Sequence, residues 1–283
     1  MVTAGPRTAA LSRTAHTQRS PDGKDQPGPV VILGCAQSGA ARLQRVLAAY
    51  TALACTTGTG ILPLCDLAAV TWRQAENRDG PLSALASASI RALTDSLITA
   101  ILVSAGTSRW CEISFAPAHC AEAFLELYPA TRFVCLHRAC PDVITDAVRA
   151  HPWGLSGTPF EPHAATHPGS TTAAIAAYWA TTTQALLRFQ EAHPAACRRL
   201  KYEDLPGGIA AIAEDVAAFL GLGHPGPATP NRPAGQIPSP PEAAMATVGP
   251  APAGAHMPTE RIPAALRATI NDLHAQLGYP PLT

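Results

Sequence analysis

The stretch "PVVILGCAQSGAARLQRVL", residues 29–47, decides the fold prediction. Residues 29–34 form a short, continuous apolar run rich in β-branched residues, which is typical of a buried parallel strand. Leu43, Val46 and Leu47 then recur at helical spacing. A Gly/Ser-containing turn between a buried strand and a helix is the usual place for a phosphate-binding loop, because backbone N–H groups and the helix dipole attract anions there. The stretch therefore predicts a strand, an anion-binding loop and a helix.

The rest of the chain continues the alternation of strands and helices. Further strands are predicted at 109–114, 132–138 and 198–205, and helices at 83–103, 117–129, 141–151, 170–193, 208–223 and 262–279. Ser170 is expected to cap one helix and Gly221 to end another. The alternation predicts a single α/β domain with a central parallel sheet flanked by helices.

Several polar segments directly follow the predicted strands. They are residues 35–41, 112–114, Arg138 and 202–205. Ligands of parallel α/β sheets bind outside the carboxyl ends of the strands. We therefore expect these segments to converge on one site.

Composition bounds the organisation of the chain. The 283 residues carry no net formal charge and 47% are hydrophobic, so the basic excess of a nucleic-acid or membrane-surface binder is absent. Residues 1–28 contain almost no bulky apolar residues and are predicted to be a disordered leader. The α/β domain is expected at 29–222, a Pro/Gly-rich mobile segment at 223–258, and a C-terminal helix at 259–283 that packs on the same domain.

Cysteine and histidine spacing predicts no metal site. None of the eight cysteines forms a CxxC pair, and His163 and His167 lie in a proline-rich loop without a third ligand. The sequence shows neither the apolar core of a signal peptide nor an apolar run of ~18 residues. A cytoplasmic protein with reduced thiols is expected.

Four stretches resemble bacterial sulfotransferases related to the tyrosine-protein sulfotransferases. They are "VILGCAQSGAARLQRVLAAYTALAC", "GTGILPLC", "RFVCLHRACPDVITDAVRAHPWGL" and "YWATTTQALLRFQEAHPAACRRLKYEDL". Their order and spacing match as a set over residues 29–222. The resemblance implies a P-loop-like sulfotransferase fold. It also implies an enzyme that takes the sulfo group of 3′-phosphoadenosine 5′-phosphosulfate (PAPS) and transfers it to an alcohol, phenol or amine.

The loop departs from the pattern of that family. The resemblance places Gln37 at the basic loop position and Ala40 and Ala41 at two threonines, whereas Ser38 and Gly39 are retained. Loss of one donor to a developing negative charge costs on the order of 10²–10³ in rate. The altered loop is therefore expected to have little ordinary transferase activity.

Other positions of the family site are also replaced. Ile113 stands where the resemblance implies a lysine, and Gly58 where it implies the carboxylate that acts as general base. Arg138 keeps its place at a strand end, where the resemblance implies a ligand of the nucleotide 3′-phosphate. Asp146 replaces the serine that assists it, and a carboxylate repels a phosphate.

The candidate anion-binding residues surround the loop and the strand ends. They are Gln37, Ser38, Gly39, Arg42, Ser114 and Arg138. A positive charge at Arg42 opposes the dipole of the helix it begins, which indicates either an anion partner or a solvent-exposed side chain.

The candidate catalytic residues are Glu112, Asp146 and His137. Burial would raise the pKa of Glu112 and make it a base, or Glu112 pairs with Arg109 or Arg138. Asp146 is expected to form an ion pair with Arg138 first and to act in catalysis second. His137, like His119, is a candidate proton carrier, although histidines more often serve packing.

Three functions follow from these residues. The first is an enzyme of natural-product tailoring that closes a ring in a sulfated small molecule by attack of an amine and loss of sulfate, without a cofactor. The second is a PAPS-dependent small-molecule sulfotransferase with a diverged loop, which would also bind 3′,5′-ADP. The third is a non-catalytic subunit that pairs with an active sulfotransferase. The expected substrate is a small molecule, free or carrier-bound, and neither nucleic acid nor membrane is an expected partner.

Overall fold

The described part of the chain contains five strands, nine α-helices and one short 3-10 helix, Tyr202–Asp204. A computed structural model describes residues 27–47, 50, 52–77, 79–223 and 261–282. The strands are β1 (Val30–Gly34), β2 (Leu53–Thr57), β3 (Arg109–Ser114), β4 (Arg132–His137) and β5 (Cys197–Lys201). The helices are α1 (Ala40–Leu47), α2 (Ile61–Ala75), α3 (Ala84–Ala105), α4 (Ala118–Leu127), α5 (Cys140–Ala150), α6 (Glu161–Thr166), α7 (Thr171–Ala192), α8 (Leu205–Leu220) and α9 (Ala264–Leu277).

The strands form one parallel sheet in the order β2-β3-β1-β4-β5. β1 is central and pairs with β3 on one side and β4 on the other. The chain leaves β1 towards β2 and later crosses to β4, so its direction of winding reverses at β1. A crevice opens at such a reversal, outside the carboxyl ends of the strands. The loop after β1 lies at this crevice.

Alternate residues of β1 point to two cores on opposite faces of the sheet. Val30 and Ile32 join the core that includes α1 and α8 residues, and Val31 and Leu33 join the core that includes residues of α2, α3, α4 and α7. Every residue of β1 is buried, as expected for a central parallel strand covered on both faces. The predicted α/β fold with a parallel sheet and flanking helices is confirmed.

Most predicted elements are present with their ends within a few residues. Ser170 accepts a hydrogen bond from the Ala173 N–H and caps α7, as predicted. Gly221 ends α8 with φ 65°, a left-handed conformation that glycine adopts without strain.

Three elements differ from the predictions. β2 and α2 were not predicted, because β2 is short with small and polar residues and α2 carries Pro63 in its first turn. α6 lies in the segment expected to be a loop, and it contains His163. Pro162 is compatible with α6 because the first helical positions need no N–H donor.

The C-terminal helix packs on the same domain in the structure. Ile270, Leu273 and Leu277 of α9 share a core with residues of α5 and α7. The leader, apart from residues 27 and 28, and the segment 224–258 lie outside the described residues. Their predicted disorder and mobility stay predictions.

Among the described residues one helix, α3, is long and apolar enough to cross a membrane, with a mean hydropathy of 1.4. The sequence showed no apolar run of this length because serines, threonines and two charged residues interrupt it. Ile90, Thr94 and Ile98 of α3 are buried in the domain. This side of α3 therefore packs against the domain, as expected for an amphipathic helix on the surface of an α/β domain.

Candidate functional site

The loop after β1 is tightly constrained by its own backbone. The Ser38 N–H donates to the Cys35 carbonyl at 3.0 Å, and Gln37 and Gly39 have φ of 65° and 84°. A Cβ atom on Gly34 would lie 2.7 Å from Ser38 Oγ, so the start of the loop accepts only glycine without rearrangement. The loop therefore has one fixed backbone conformation directly before the first turn of α1.

A buried tyrosine of α7 supports the loop from another direction. The Ala36 N–H donates to the Tyr178 hydroxyl oxygen at 2.9 Å. Burial raises the pKa of the Cys35 thiol to about 12, so this cysteine is protonated at neutral pH and is no thiolate nucleophile.

Tyr202, in the turn that follows β5, packs directly on the loop. A Cβ atom added to Gly39 would lie 2.2 Å from two ring carbons of Tyr202. The guanidinium carbon of Arg138 lies 4.4 Å from the centroid of the same ring, and that of Arg42 lies 6.0 Å from it. Tyr202 thus brings the loop and both arginines together.

Arg138 joins β4, the loop and α5. Its Nη1 donates to the Gln37 carbonyl at 2.8 Å and to Asp146 Oδ2 at 2.7 Å. The side chains of Arg138 and Asp146 are both buried. The Trp179 indole N–H donates to the Arg138 carbonyl at 2.9 Å and holds the strand end. The ion pair expected between Arg138 and Asp146 is present.

Four buried polar atoms at this place have no hydrogen-bond partner among the described residues. They are Gln37 Nε2, Ser38 Oγ, Arg138 Nε and Asp146 Oδ1. A buried polar atom without a partner costs roughly 1–3 kcal/mol. Three of the four are atoms able to donate a hydrogen bond, and one is an acceptor. The group therefore offers three donor atoms, unpaired within the described part of the chain, to an anionic ligand.

Glu112 makes its hydrogen bonds to residues outside this group. Its register on β3 places it opposite Val31, in the middle of β1, and its side chain is buried. Glu112 Oε2 accepts from the Thr56 hydroxyl, and Oε1 accepts from the Thr59 N–H at 2.9 Å and the Thr59 hydroxyl at 3.0 Å. Burial raises the pKa of Glu112, and these hydrogen bonds oppose the rise.

The expected pairing of Glu112 with an arginine is not what the structure shows. Arg109 instead donates to the carbonyls of Gly28 and Leu220, and Arg138 pairs with Asp146. Glu112 ties the loop after β2 to β3.

His137 and Ser114 are buried close to the strand ends. His137 Nε2 lies 2.8 Å from Gln190 Nε2, whose side-chain oxygen accepts from Arg199. Burial, helped by the Arg199 charge, lowers the pKa of His137 to about 4. Ser114 Oγ accepts from the Ala116 N–H at 3.2 Å.

Sequence reasoning missed the supporting residues of the site. Tyr178 and Trp179 were predicted only as helix residues, although buried Tyr and Trp usually find partners for their polar atoms. Glu203, in the "YEDL" stretch, accepts from the Ala139 N–H and the Tyr279 hydroxyl, both at 2.8 Å. It therefore ties the C-terminal residues to the strand end beside Arg138.

Comparison with known proteins identifies the family. The model of the sulfotransferase family matches residues 29–225, more than half of the chain. The chain belongs to the sulfotransferase family. No curated protein sequence matches this sulfotransferase-family chain.

Solved structures of bacterial sulfotransferases share the fold of this family member. A sulfotransferase domain from the curacin biosynthetic pathway is 16% identical, with a TM-score of 0.60, covering 90% of this chain and 99% of that one. A sulfotransferase domain of the Synechococcus PCC 7002 olefin synthase is 16% identical, with a TM-score of 0.55 and coverage of 92% and 98%. A sulfotransferase from Alicyclobacillus acidocaldarius is 13% identical, with a TM-score of 0.52 and coverage of 89% and 96%. At these identities the similarity establishes the fold.

Proposed function

We propose that this sulfotransferase-family protein is a small-molecule tailoring enzyme that closes a ring by displacing sulfate with an amine of the same substrate. The observation that carries the proposal is the buried ion pair of Arg138 and Asp146 beside the loop, with Nη1–Oδ2 at 2.7 Å. Arg138 already has a carboxylate partner, so the 3′-phosphate of a nucleotide would meet a negative charge at this guanidinium.

The residues around the loop do not fit PAPS. Residues 35–41 include no cation, and Ala40 and Ala41 offer no hydroxyl to the phosphosulfate. Asp146 opposes the 3′-phosphate at Arg138. The proposed reaction therefore uses neither PAPS nor 3′,5′-ADP.

A sulfate ester carries one negative charge, fewer than a phosphate monoester, and so meets less repulsion from Asp146 at the donors that remain. Ser38 Oγ, Gln37 Nε2 and Arg138 Nε are buried donor atoms without a partner among the described residues. Arg42 lies in the first turn of α1, where the helix dipole also favours an anion. A sulfate ester at this loop would satisfy these donors. Because Tyr202 packs on Gly39, the ring of Tyr202 has to move when the ester enters.

The proposed reaction needs one proton acceptor and one leaving-group site. The neutral amine attacks the carbon that bears the sulfate ester, so a C–N bond forms and the C–O bond breaks. The oxygen leaves with the bond electrons as inorganic sulfate, and the amine proton passes to a carboxylate. Attack within one bound molecule gains from proximity.

Asp146 is the carboxylate best placed for this proton. Its Oδ1 has no partner among the described residues, and its Oδ2 binds Arg138, an anion-site residue. Both oxygens of Glu112 accept hydrogen bonds from threonines, and His137 is held by Gln190. We therefore assign the base to Asp146 and supporting positions to Glu112, His137 and Ser114.

The related folds support a biosynthetic setting. Two of the structural neighbours are sulfotransferase domains of the curacin pathway and of an olefin synthase. We propose natural-product tailoring of a small molecule, free or carrier-bound, in the cytoplasm.

The test uses the purified full chain with a panel of β-amino-alcohol O-sulfates. We expect equimolar release of inorganic sulfate and cyclic amine, and no heat of binding for PAPS or 3′,5′-ADP in calorimetry. Arg42→Ala should lower the rate at least tenfold, whereas Arg45→Ala, one turn later on the exposed face of α1, should leave it unchanged. Transfer from PAPS would overturn the proposal in favour of an ordinary sulfotransferase, and activity only with an added active sulfotransferase would favour a subunit role.

A further inference from the structure

Three side chains of the types that ligate metals meet between α2 and α4, on elements that do not form the loop site. They are Asp66 of α2 and His119 and Cys120 of α4. One potential ligand atom from each, a carboxylate oxygen, an imidazole nitrogen and a thiol sulfur, lies within 4.8 Å of the others. No hydrogen bond closes the group: His119 Nε2 and Asp66 Oδ2 are 3.5 Å apart, beyond a good hydrogen bond.

The other charged pairs nearby are in direct contact. Asp66 and His119 line a surface cleft of about 760 Å³ together with Arg73, Glu122, Glu126 and His193. His193 contacts Glu122 at 2.7 Å, and Arg73 binds Glu126 directly. Of these three charged pairs in the cleft, Asp66 and His119 thus have the longest distance between their nitrogen and oxygen atoms.

The ligand types and the spacing fit zinc. A mixed set of nitrogen, sulfur and oxygen suits Zn²⁺, whereas Ca²⁺ and Mg²⁺ select oxygen ligands. Zinc bonds of 2.0–2.3 Å place tetrahedral ligand atoms roughly 3.3–3.8 Å apart. Side-chain movements of about 1 Å therefore close the site. His119 is exposed and Asp66 half-buried, so an ion reaches the group from the cleft.

We propose that Asp66, His119 and Cys120 bind one Zn²⁺ ion, with water from the cleft as the fourth ligand. The Cys120 thiol loses its proton to solvent as the Zn–S bond forms. With three protein ligands, the fourth coordination position of the zinc stays open to water. The spacing rules missed it, because two ligands are adjacent in the chain and the third is contributed by another helix.

The site is tested by cobalt substitution in the full-length protein. After chelator treatment, Co²⁺ is titrated and the absorbance followed. We expect one equivalent to bind with a thiolate-to-cobalt charge-transfer band, and Zn²⁺ to bleach that band. Cys120→Ser should abolish the band, and His119→Ala, an exposed substitution that keeps the fold, should weaken binding at least tenfold.

Matched variants separate this site from unspecific binding. Cys197→Ser, at a half-buried cysteine away from the three ligands, and His193→Ala, a histidine of the same cleft, should leave the titration unchanged. The proposal is overturned by the absence of stoichiometric binding. It is equally overturned by binding that survives both Cys120→Ser and His119→Ala, which would reveal adventitious metal only.

Discussion

Gly39 shows at the scale of one residue how the loop and its surroundings constrain each other. Its φ of 84° lies in the left-handed region, where a side chain is strained. The Tyr202 ring also occupies the space that a Cβ atom would need. Two independent causes therefore select glycine, and only the second depends on a residue far away in the chain.

Gly39→Ala is expected to destabilise the protein more than Gly169→Ala. Gly169 has a similar φ of 78° but open space around the added Cβ, so it reports the backbone strain alone. Overpacking against Tyr202 should add roughly 1–3 kcal/mol to the loss at Gly39. Urea unfolding of both variants measures the difference. Equal losses would show that the ring yields freely.

At the scale of elements, the Arg138–Asp146 pair fastens the end of β4 to α5 and to the loop. The pair is buried, so its contribution differs in kind from that of a surface pair. Removal of one member of a buried pair leaves an uncompensated charge, at a cost of about 3–5 kcal/mol. Exposed pairs contribute about 0–1 kcal/mol.

The loss of unfolding free energy caused by Asp146→Asn should therefore be several times the loss caused by Asp215→Asn. Asp215 pairs with Arg198 through side chains that are nearly half exposed, which makes it a matched surface control. Chemical denaturation at neutral pH gives both values. Comparable, small losses would mean that water or another group takes over from Asp146.

At the scale of the whole molecule, burial makes stability depend on pH. His137 lies under the sheet end with its pKa lowered to about 4 by burial and by Arg199. Between pH 6.5 and pH 4 the unfolded chain binds a proton that the folded chain does not. The contribution of His137 to the free energy of unfolding is thus complete above pH 6.5 and is lost as the pH falls towards 4.

The variant His137→Gln should lose less stability than the wild type as the pH falls. The shift of the His137 pKa corresponds to about 3 kcal/mol between pH 7 and pH 4. Urea unfolding of wild type and variant across that range measures it. His167→Gln, which alters a histidine outside the core, is the control and should keep the wild-type slope. A His137→Gln curve parallel to wild type would contradict the assignment.

Local sequence patterns were sufficient for much of the fold. The apolar run of β1, the capping serine at Ser170 and the glycine at Gly221 act on neighbouring residues, so their effects are visible in the sequence. The resemblance to sulfotransferases, which places Asp146 at a position beside Arg138, also predicted the ion pair between these two residues. The short elements β2 and α6 were missed because their residues give weak periodicity.

The sequence by itself determined an α/β domain of the sulfotransferase family with an altered loop. Only the tertiary structure decided which polar groups find partners. It paired Glu112 with Thr56 and Thr59, set Tyr202 on Gly39, and brought Asp66 to His119 and Cys120. The physical reason is that periodicity and capping depend on neighbours in the chain. Hydrogen bonding and ion binding depend on distances between residues that folding alone brings together.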